Sequence, residues 1–67
     1  MTEEQFSALA ELMRLRGGPG QHAARLVLVN GLQPTEAARQ TGITPQAANK
    51  TLSSCRRGIE LAKRVFT

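Results

Sequence analysis

One stretch of the chain, from Thr44 to Arg57, combines amide, hydroxyl and cationic side chains at close spacing. Gln and Asn side chains can form paired hydrogen bonds with adenine, and a Lys ammonium can donate to guanine. The arginines farther along the stretch are better placed for phosphates, which contribute affinity rather than sequence choice. If this stretch is an exposed helix, its chemistry is therefore that of a surface that binds a nucleic acid.

Other kinds of chemistry lack the residues that they need. Cys55 is the single cysteine and His22 the single histidine, so the four-ligand set of a structural zinc site cannot be assembled. No nucleophile, base and orienting group can be combined, and 67 residues leave little room for a catalytic cleft with its supporting shell. We therefore expect no enzyme activity, no metal, no cofactor and no small-molecule ligand. The two aromatic residues, Phe6 and Phe66, are too few for single-strand binding by base stacking.

The net charge of +4 is concentrated at one end of the chain. Residues 1–43 carry four glutamates and four arginines, which cancel, whereas residues 44–67 carry five cations against Glu60. A one-sided basic excess is typical of a protein that binds a polyanion. A solvated basic face at a helix end, where cations also suit the helix dipole, would give the same pattern, so charge alone leaves both interpretations open.

A capping box predicts where the first of four helices begins. Thr2 can accept a hydrogen bond from the Gln5 amide while the Gln5 side chain reaches back. The Gly-Gly-Pro-Gly segment at 17–20 is expected to end this helix. Its apolar face should consist of residues at helical spacing, namely Phe6, Leu9, Leu12 and Met13.

Two shorter helices are predicted next. The first runs from about Gln21 to Val29, and its buried side should comprise Ala24, Val27 and Leu28. The following helix should have Pro34 near its first turn and Gly42 after its last residue, since proline favours helix starts and glycine favours helix ends. Either Gln33 or Thr35 could cap it.

The fourth helix should be the longest. Thr44 is a favourable N-cap residue, and Pro45 fits the first helical position. After a first gap of four, its apolar residues alternate spacings of three and four, which indicates a helix packed along one seam. The seam consists of Ala48, Leu52, Cys55, Ile59, Ala62 and Phe66.

The second half of this seam, formed by Ile59, Ala62 and Phe66, extends beyond what a small helical core needs to cover. It could fold back on the first helix or meet its symmetry mate in a dimer. We favour the dimer, because a small domain that exposes Val65 and Phe66 gains from pairing. Residues 59–67 are therefore assigned as a candidate dimerisation extension.

The third helix, the turn and the fourth helix together have the features of a helix-turn-helix. Two helices that cross steeply need a small residue at their contact, such as Ala38, and the tight turn needs a residue that tolerates positive φ, such as Gly42. Ile43 should fill the space beneath the turn. Ala48 and Leu52 should pack the second helix of the motif onto the first.

In such a motif, the outward residues near the start of the second helix contact base edges in the major groove. The candidates for reading bases are Thr44, Gln46, Ala47, Asn49, Lys50 and Ser53. The candidates for binding the DNA backbone are Arg56, Arg57 and, on the preceding helix, Arg39.

The segment from about Thr2 to Ile59 resembles the DNA-binding domain of the TrfB/KorA-type plasmid transcriptional repressors. The motifs that carry the resemblance are Thr2-Glu3-Glu4-Gln5-Phe6, Ala24-Arg25 followed by Val27-Leu28-Val29, and Gly42-Ile43-Thr44. The resemblance implies a helical repressor of plasmid genes that binds palindromic operators as a dimer. Members of that family carry an additional C-terminal dimerisation segment, and a longer polar side chain where this chain has Pro45. Because Pro45 cannot read a base by hydrogen bonding, the resemblance leaves room for a different operator.

These observations predict an all-α, four-helix domain with a helix-turn-helix and a long last helix, as a single DNA-binding domain over residues 1–67. The expected function is sequence-specific binding of double-stranded DNA by a homodimeric repressor. The alternative is a small helical adaptor that docks its basic helix on an acidic protein. The chain shows no secretory signal and no membrane-crossing run, and its lone cysteine fits a reducing cytoplasm, so we expect a cytoplasmic protein. The resemblance to plasmid repressors implies that this cytoplasm is bacterial and that the protein is associated with the plasmid or nucleoid.

Overall fold

The computed structural model describes residues 1–66, which form four α-helices. Helix α1 spans Glu3–Leu12, α2 spans Pro19–Leu28, α3 spans Pro34–Thr41 and α4 spans Pro45–Val65. No strand occurs within residues 1–66, so the predicted all-helical class with a long last helix is confirmed. With a rise of 1.5 Å per residue, α4 is about 32 Å long, close to the longest dimension of the molecule, 36 Å. Residue 67, part of the candidate dimerisation extension, lies outside the described residues.

Helix α1 begins as predicted but ends earlier. The Thr2 amide donates to Gln5 Oε1 and the Gln5 amide donates to Thr2 Oγ1, at 2.9 and 3.0 Å, which completes the capping box. The helix stops at Leu12 because Arg14 adopts a left-handed conformation with φ of 55°, and the Leu15 amide donates back to the Ala10 carbonyl. The prediction that segment 17–20 ends this helix was therefore wrong. The left-handed residue that follows a helix is usually glycine, but here it is Arg14, so the sequence did not indicate this end.

The buried face of α1 is narrower than the sequence predicts. Phe6 and Leu9 are buried as predicted, whereas Leu12 is 63% exposed and Met13 is half-buried as the helix cap.

Helix α2 begins at Pro19 instead of Gln21, because proline fits the first helical position. Its buried residues are Ala23, Ala24 and Leu26. The expected Val27 and Leu28 are half-buried.

Two apolar clusters hold the helices together. The first joins α1, α2 and α4 through Phe6, Leu9, Ala24, Leu52 and Cys55. The second joins α2, α3 and α4 through Ala23, Leu26, Ala37, Ala38 and Ala48. Four of the five residues in the second cluster are alanines, so α2, α3 and α4 approach one another closely there. Burial also raises the pKa of the Cys55 thiol, which favours its neutral form.

The connection between α3 and α4 has the geometry that the sequence predicts. Gly42 adopts φ of 74°, and the amides of Gly42 and Ile43 both donate to the Ala38 carbonyl. Ile43 is half-buried against the alanine-rich cluster. The Thr44 hydroxyl then accepts from the Ala47 amide at 3.1 Å and caps α4.

The start of α3 resolves the alternative that the sequence left open. Gln33 occupies the N-cap position with extended backbone, although its side chain makes no capping hydrogen bond. Pro34 is the first helical residue, as expected.

Within the described part of the chain, no helix has both the length and the apolar character needed to span a membrane.

Replacing Gly42 with alanine should lower the free energy of unfolding by about 1 kcal/mol, because a Cβ is strained at positive φ. A Cβ built there has no neighbouring atom within 4 Å, so backbone strain is the expected cause. Thermal unfolding followed by circular dichroism should then show a Tm lower by about 4–8 °C. Gly42→Asn is the matched control and should cost less, because asparagine tolerates this conformation. Equal Tm values for the wild type and Gly42→Ala would contradict this role of Gly42.

Candidate nucleic-acid interface

The first half of α4 has one buried side and one exposed side. Ala48, Leu52 and Cys55 have relative exposures of 0, 1 and 0%, and they anchor the helix against both apolar clusters. Because a helix repeats every 3.6 residues, the side opposite to them carries positions 46, 50, 53 and 57. These positions hold Gln46, Lys50, Ser53 and Arg57, all of which are exposed.

The remaining candidate base-reading residues surround this stripe. Asn49 lies on one flank of α4 together with Arg56, and Ala47 lies on the other flank. Thr44 is exposed at the start of the helix. The structure therefore brings all six candidate base-reading residues to the exposed surface of a single helical segment. Their contact with bases stays a prediction.

The polar side chains of this surface differ in how free they are to bind a ligand. The Thr44 hydroxyl already accepts a hydrogen bond from the Ala47 amide, so it retains a proton to donate and one of its two acceptor lone pairs. The side chains of Gln46, Asn49, Lys50 and Ser53 make no hydrogen bond to any residue within 1–66. Most of this surface therefore enters a complex without first breaking an internal bond.

The candidate backbone-binding arginines fall into two groups. Arg56 and Arg57 are exposed and form no ion pair with a residue that the structure describes. Arg39 is also exposed, but its guanidinium binds Glu36 through both Nε and Nη2, with 3.0 Å between Nε and Oε2. Binding a phosphate through Arg39 therefore requires competition with a carboxylate.

The Glu36 carboxylate has a second partner in Gln40, whose amide donates to it at 3.2 Å. Hydrogen bonds from Arg39 first and Gln40 second hold the pKa of Glu36 below its ordinary value. The same contact raises the pKa of Arg39. Glu36 therefore stays ionised to a lower pH than an isolated glutamate does, which favours its ion pair with Arg39.

The candidate dimer seam is divided between the core and the surface. Ile59 packs against the cluster that contains Phe6 and Leu9, Ala62 is half-buried, and Phe66 is 85% exposed. Exposed neighbours surround Phe66 in a shallow groove between α1 and α4. We call this surface the apolar face, and it consists of Leu12, Leu61, Val65 and Phe66.

Three members of the apolar face, Leu12, Leu61 and Val65, are absent from the predicted seam. Leu61 lies outside the alternation of three and four on α4, and Leu12 was expected to be part of the core. Leu12 is the last residue of α1 and lies to one side of the face that buries Phe6, Leu9 and Ala10, and no glycine or proline marks the end of α1 in residues 13–16. Among residues 1–66, no three His, Cys, Asp or Glu side chains are grouped so that they could hold a metal ion.

Comparison with known proteins gives one positive result. A family model described as TrfB plasmid transcriptional repressor matches residues 1–64 of the 67-residue chain. The match includes all four helices almost to the end of α4. No curated protein and no solved structure matches the chain significantly. The described class is one of transcription regulators and not a class of enzymes.

Replacing Arg39 with glutamine should raise the pKa of Glu36 towards its ordinary value, because the strongest stabilising partner of the carboxylate is lost. An NMR titration of the Glu36 side-chain carboxyl carbon would measure the change. Lys50→Gln removes one cation from α4 and serves as the charge-matched control, for which we expect no comparable shift. If Arg39→Gln left the titration of Glu36 unchanged, the ion pair would not hold Arg39 in solution.

Proposed function

The chain belongs to the TrfB plasmid transcriptional repressor family, and on that premise we propose that it represses transcription by binding a palindromic operator through the major groove. In this proposal α3, the Gly42 turn and α4 act as a helix-turn-helix. Residues 1–67 act as a single DNA-binding domain. The proposal includes a cellular location, on plasmid or nucleoid DNA in the bacterial cytoplasm.

One observation carries the proposal most strongly, namely the two-sided character of the first half of α4. Its buried side is fixed by alanine and leucine contacts, and its exposed side presents the side chains of Gln46, Asn49, Lys50 and Ser53, which have no hydrogen-bond partner within residues 1–66. A rigid helix with that surface fits the major groove, which is wide enough to admit a helix and displays a distinct donor and acceptor pattern for each base pair.

The side chains divide into those that read bases and those that bind phosphates. Gln46 and Asn49 are suited to adenine, Lys50 to guanine, and the Ala47 methyl group to the methyl group of thymine. Thr44 and Ser53 contribute single hydrogen bonds at either end of the reading surface. These six residues would determine which operator is chosen.

The backbone contacts come from arginines. Arg56 and Arg57 lie about three turns along α4 from Thr44 and have no carboxylate partner among residues 1–66. Arg39 contributes when a phosphate displaces Glu36 from its guanidinium. Such contacts fix the position of the protein on the duplex but add no sequence information.

We propose that the repressor is a homodimer that pairs through the apolar face and the neighbouring seam residues Ile59 and Ala62. Val65 and Phe66 have exposures of 73 and 85%, and exposed apolar groups that cluster on one surface favour association. A two-fold axis would place two α4 helices about 34–36 Å apart, so that both enter the major groove on one side of the duplex.

Selection of bound sequences from a random pool of duplexes tests the proposed function directly. The expected result is a palindromic consensus whose half-sites are separated by one helical turn. A consensus without symmetry would contradict the dimer while supporting sequence-specific binding. Salt-dependent binding with no consensus would contradict the repressor function and favour an adaptor that docks its basic helix on an acidic protein.

Replacing Arg57 with alanine should weaken binding to all duplexes and reduce the slope of log K against log salt by about one unit, because one phosphate contact is lost. Fluorescence anisotropy at several salt concentrations would measure the slope. Arg57→Lys is the matched control and should retain most of it, because the charge remains. An unchanged slope in Arg57→Ala would refute a phosphate contact by Arg57.

Replacing Asn49 with alanine should relax the choice of base at one position of each half-site, with a loss of about 1–3 kcal/mol in discrimination. Repeating the selection with this variant would show which position has become degenerate. The overall salt dependence should remain as in the wild type, because Asn49 carries no charge. Recovery of the wild-type consensus would exclude Asn49 as a base-reading residue.

A further inference from the structure

The loop between α1 and α2 runs along one flank of α4. A Cβ added at Gly20, at the start of α2, would lie 2.9 Å from Thr51 Oγ1 on α4. A Cβ added at Gly58 on α4 would lie 2.7 Å from Met13 Sδ, where α1 ends. These two close approaches are seven residues apart on α4, or about 10 Å. The loop that connects them therefore borders the exposed half of α4.

This loop carries two arginines whose charges are not compensated locally. Arg14 and Arg16 are exposed and form no ion pair with any residue in the described range. The other arginines before residue 44 bind carboxylates, Arg25 to Glu3 and Arg39 to Glu36. The four glutamates and four arginines of residues 1–43 cancel in number, but their charges are not evenly distributed in space. The loop that carries Arg14 and Arg16 is therefore a cationic site.

The backbone of the loop holds Arg14 in a specific and costly conformation. Its φ of 55° lies in the left-handed region, where a residue other than glycine costs about 1–2 kcal/mol. The Gly17 amide donates to Gln21 Oε1 at 2.7 Å, which ties the other end of the loop to α2. The loop is therefore anchored at both ends.

The loop and α4 also share a shallow groove on this flank. Met13 forms one wall of the groove, and Ser53, Ser54 and Arg57 on α4 contribute to the other. Arg14 directly follows Met13, so its backbone begins beside the exposed stripe of α4. Asn49 and Arg56 occupy the opposite flank of the helix. Cationic groups therefore lie on both sides of the surface that we propose to enter the groove.

We propose that Arg14 and Arg16 form a second phosphate-binding site, which contacts the DNA strand along the flank of α4 opposite to Arg56. The inference rests on the proposed function, because it requires α4 to lie in the major groove. A helix in that groove is bordered by a sugar-phosphate backbone on each side. Arg56 lies on the side of one backbone, and the loop provides the cations for the other.

Salt-dependent binding of the selected duplex by the full chain tests this site. The double variant Arg14→Asn/Arg16→Gln removes both charges, and asparagine tolerates the left-handed conformation at position 14. We expect the slope of log K against log salt to fall by about 1.8 units, which corresponds to about 60-fold weaker binding in 0.1 M salt. The selected consensus should remain the same, because phosphate contacts carry no sequence information.

Two further variants separate charge from folding. Arg14→Lys/Arg16→Lys keeps both charges and should retain most of the slope. Arg16→Gln alone leaves the Arg14 conformation untouched and should lower the slope by about 0.9 units. If the double neutral variant and Arg16→Gln both kept the wild-type slope, the loop would not bind DNA. The proposed function would still be supported in that case if Arg57→Ala reduced the slope in the same assay. Absence of any salt-dependent duplex binding by the wild type would overturn both.

Neutral methylphosphonate linkages placed one at a time along the selected duplex would locate the contact. At the phosphates bound by the loop, the substitution should weaken binding of the wild type but leave the double neutral variant unaffected, since its contact is already lost. Equal losses for both proteins at every position would overturn the assignment of Arg14 and Arg16. The wild type and the variants should unfold at similar temperatures, which circular dichroism would establish.

Discussion

The close packing of alanines where α2, α3 and α4 meet determines how the rest of the molecule is arranged. Ala23, Ala37 and Ala48 are fully buried there, and Ala38 is 1% exposed. A larger side chain at this contact would push the helices apart and change the angle at which α4 leaves the core. The orientation of the exposed stripe therefore depends on small residues that themselves do no chemistry.

Much of this arrangement could be predicted from the sequence, because local signals and periodicity agreed. The capping box at Thr2, the left-handed Gly42 and the Thr44 cap each depend on residues within a few positions, and all three occur as expected. The end of α1 could not be predicted, because Arg14 adopts a conformation that usually signals glycine. The exposure of Leu12, which helical spacing placed on the apolar face of α1, could not be predicted either, because spacing alone does not show how wide the buried face of a helix is.

The electrostatics show why a count of charges is a poor guide to a binding surface. The sequence places the whole cationic excess after residue 43, yet the structure compensates some arginines through carboxylates and leaves others open to solvent. The Glu36 carboxylate compensates the charge of Arg39, whereas Arg14 forms no ion pair with a carboxylate in the described part of the chain. The cations available to a polyanion are therefore distributed over α4 and the loop beside it, which gives a broader surface than the sequence suggests.

The division of the interior into two clusters has a consequence for local stability. Helix α1 belongs to only one cluster, where Phe6 and Leu9 are its buried contributions, and it is tied to α2 by the Glu3–Arg25 ion pair. The alanine-rich cluster contains no residue of α1. Detachment of α1 would therefore leave the contacts among α2, α3 and α4 in the alanine-rich cluster in place. Backbone amides in α1 would then exchange their hydrogens with solvent faster than the amides where α2, α3 and α4 meet.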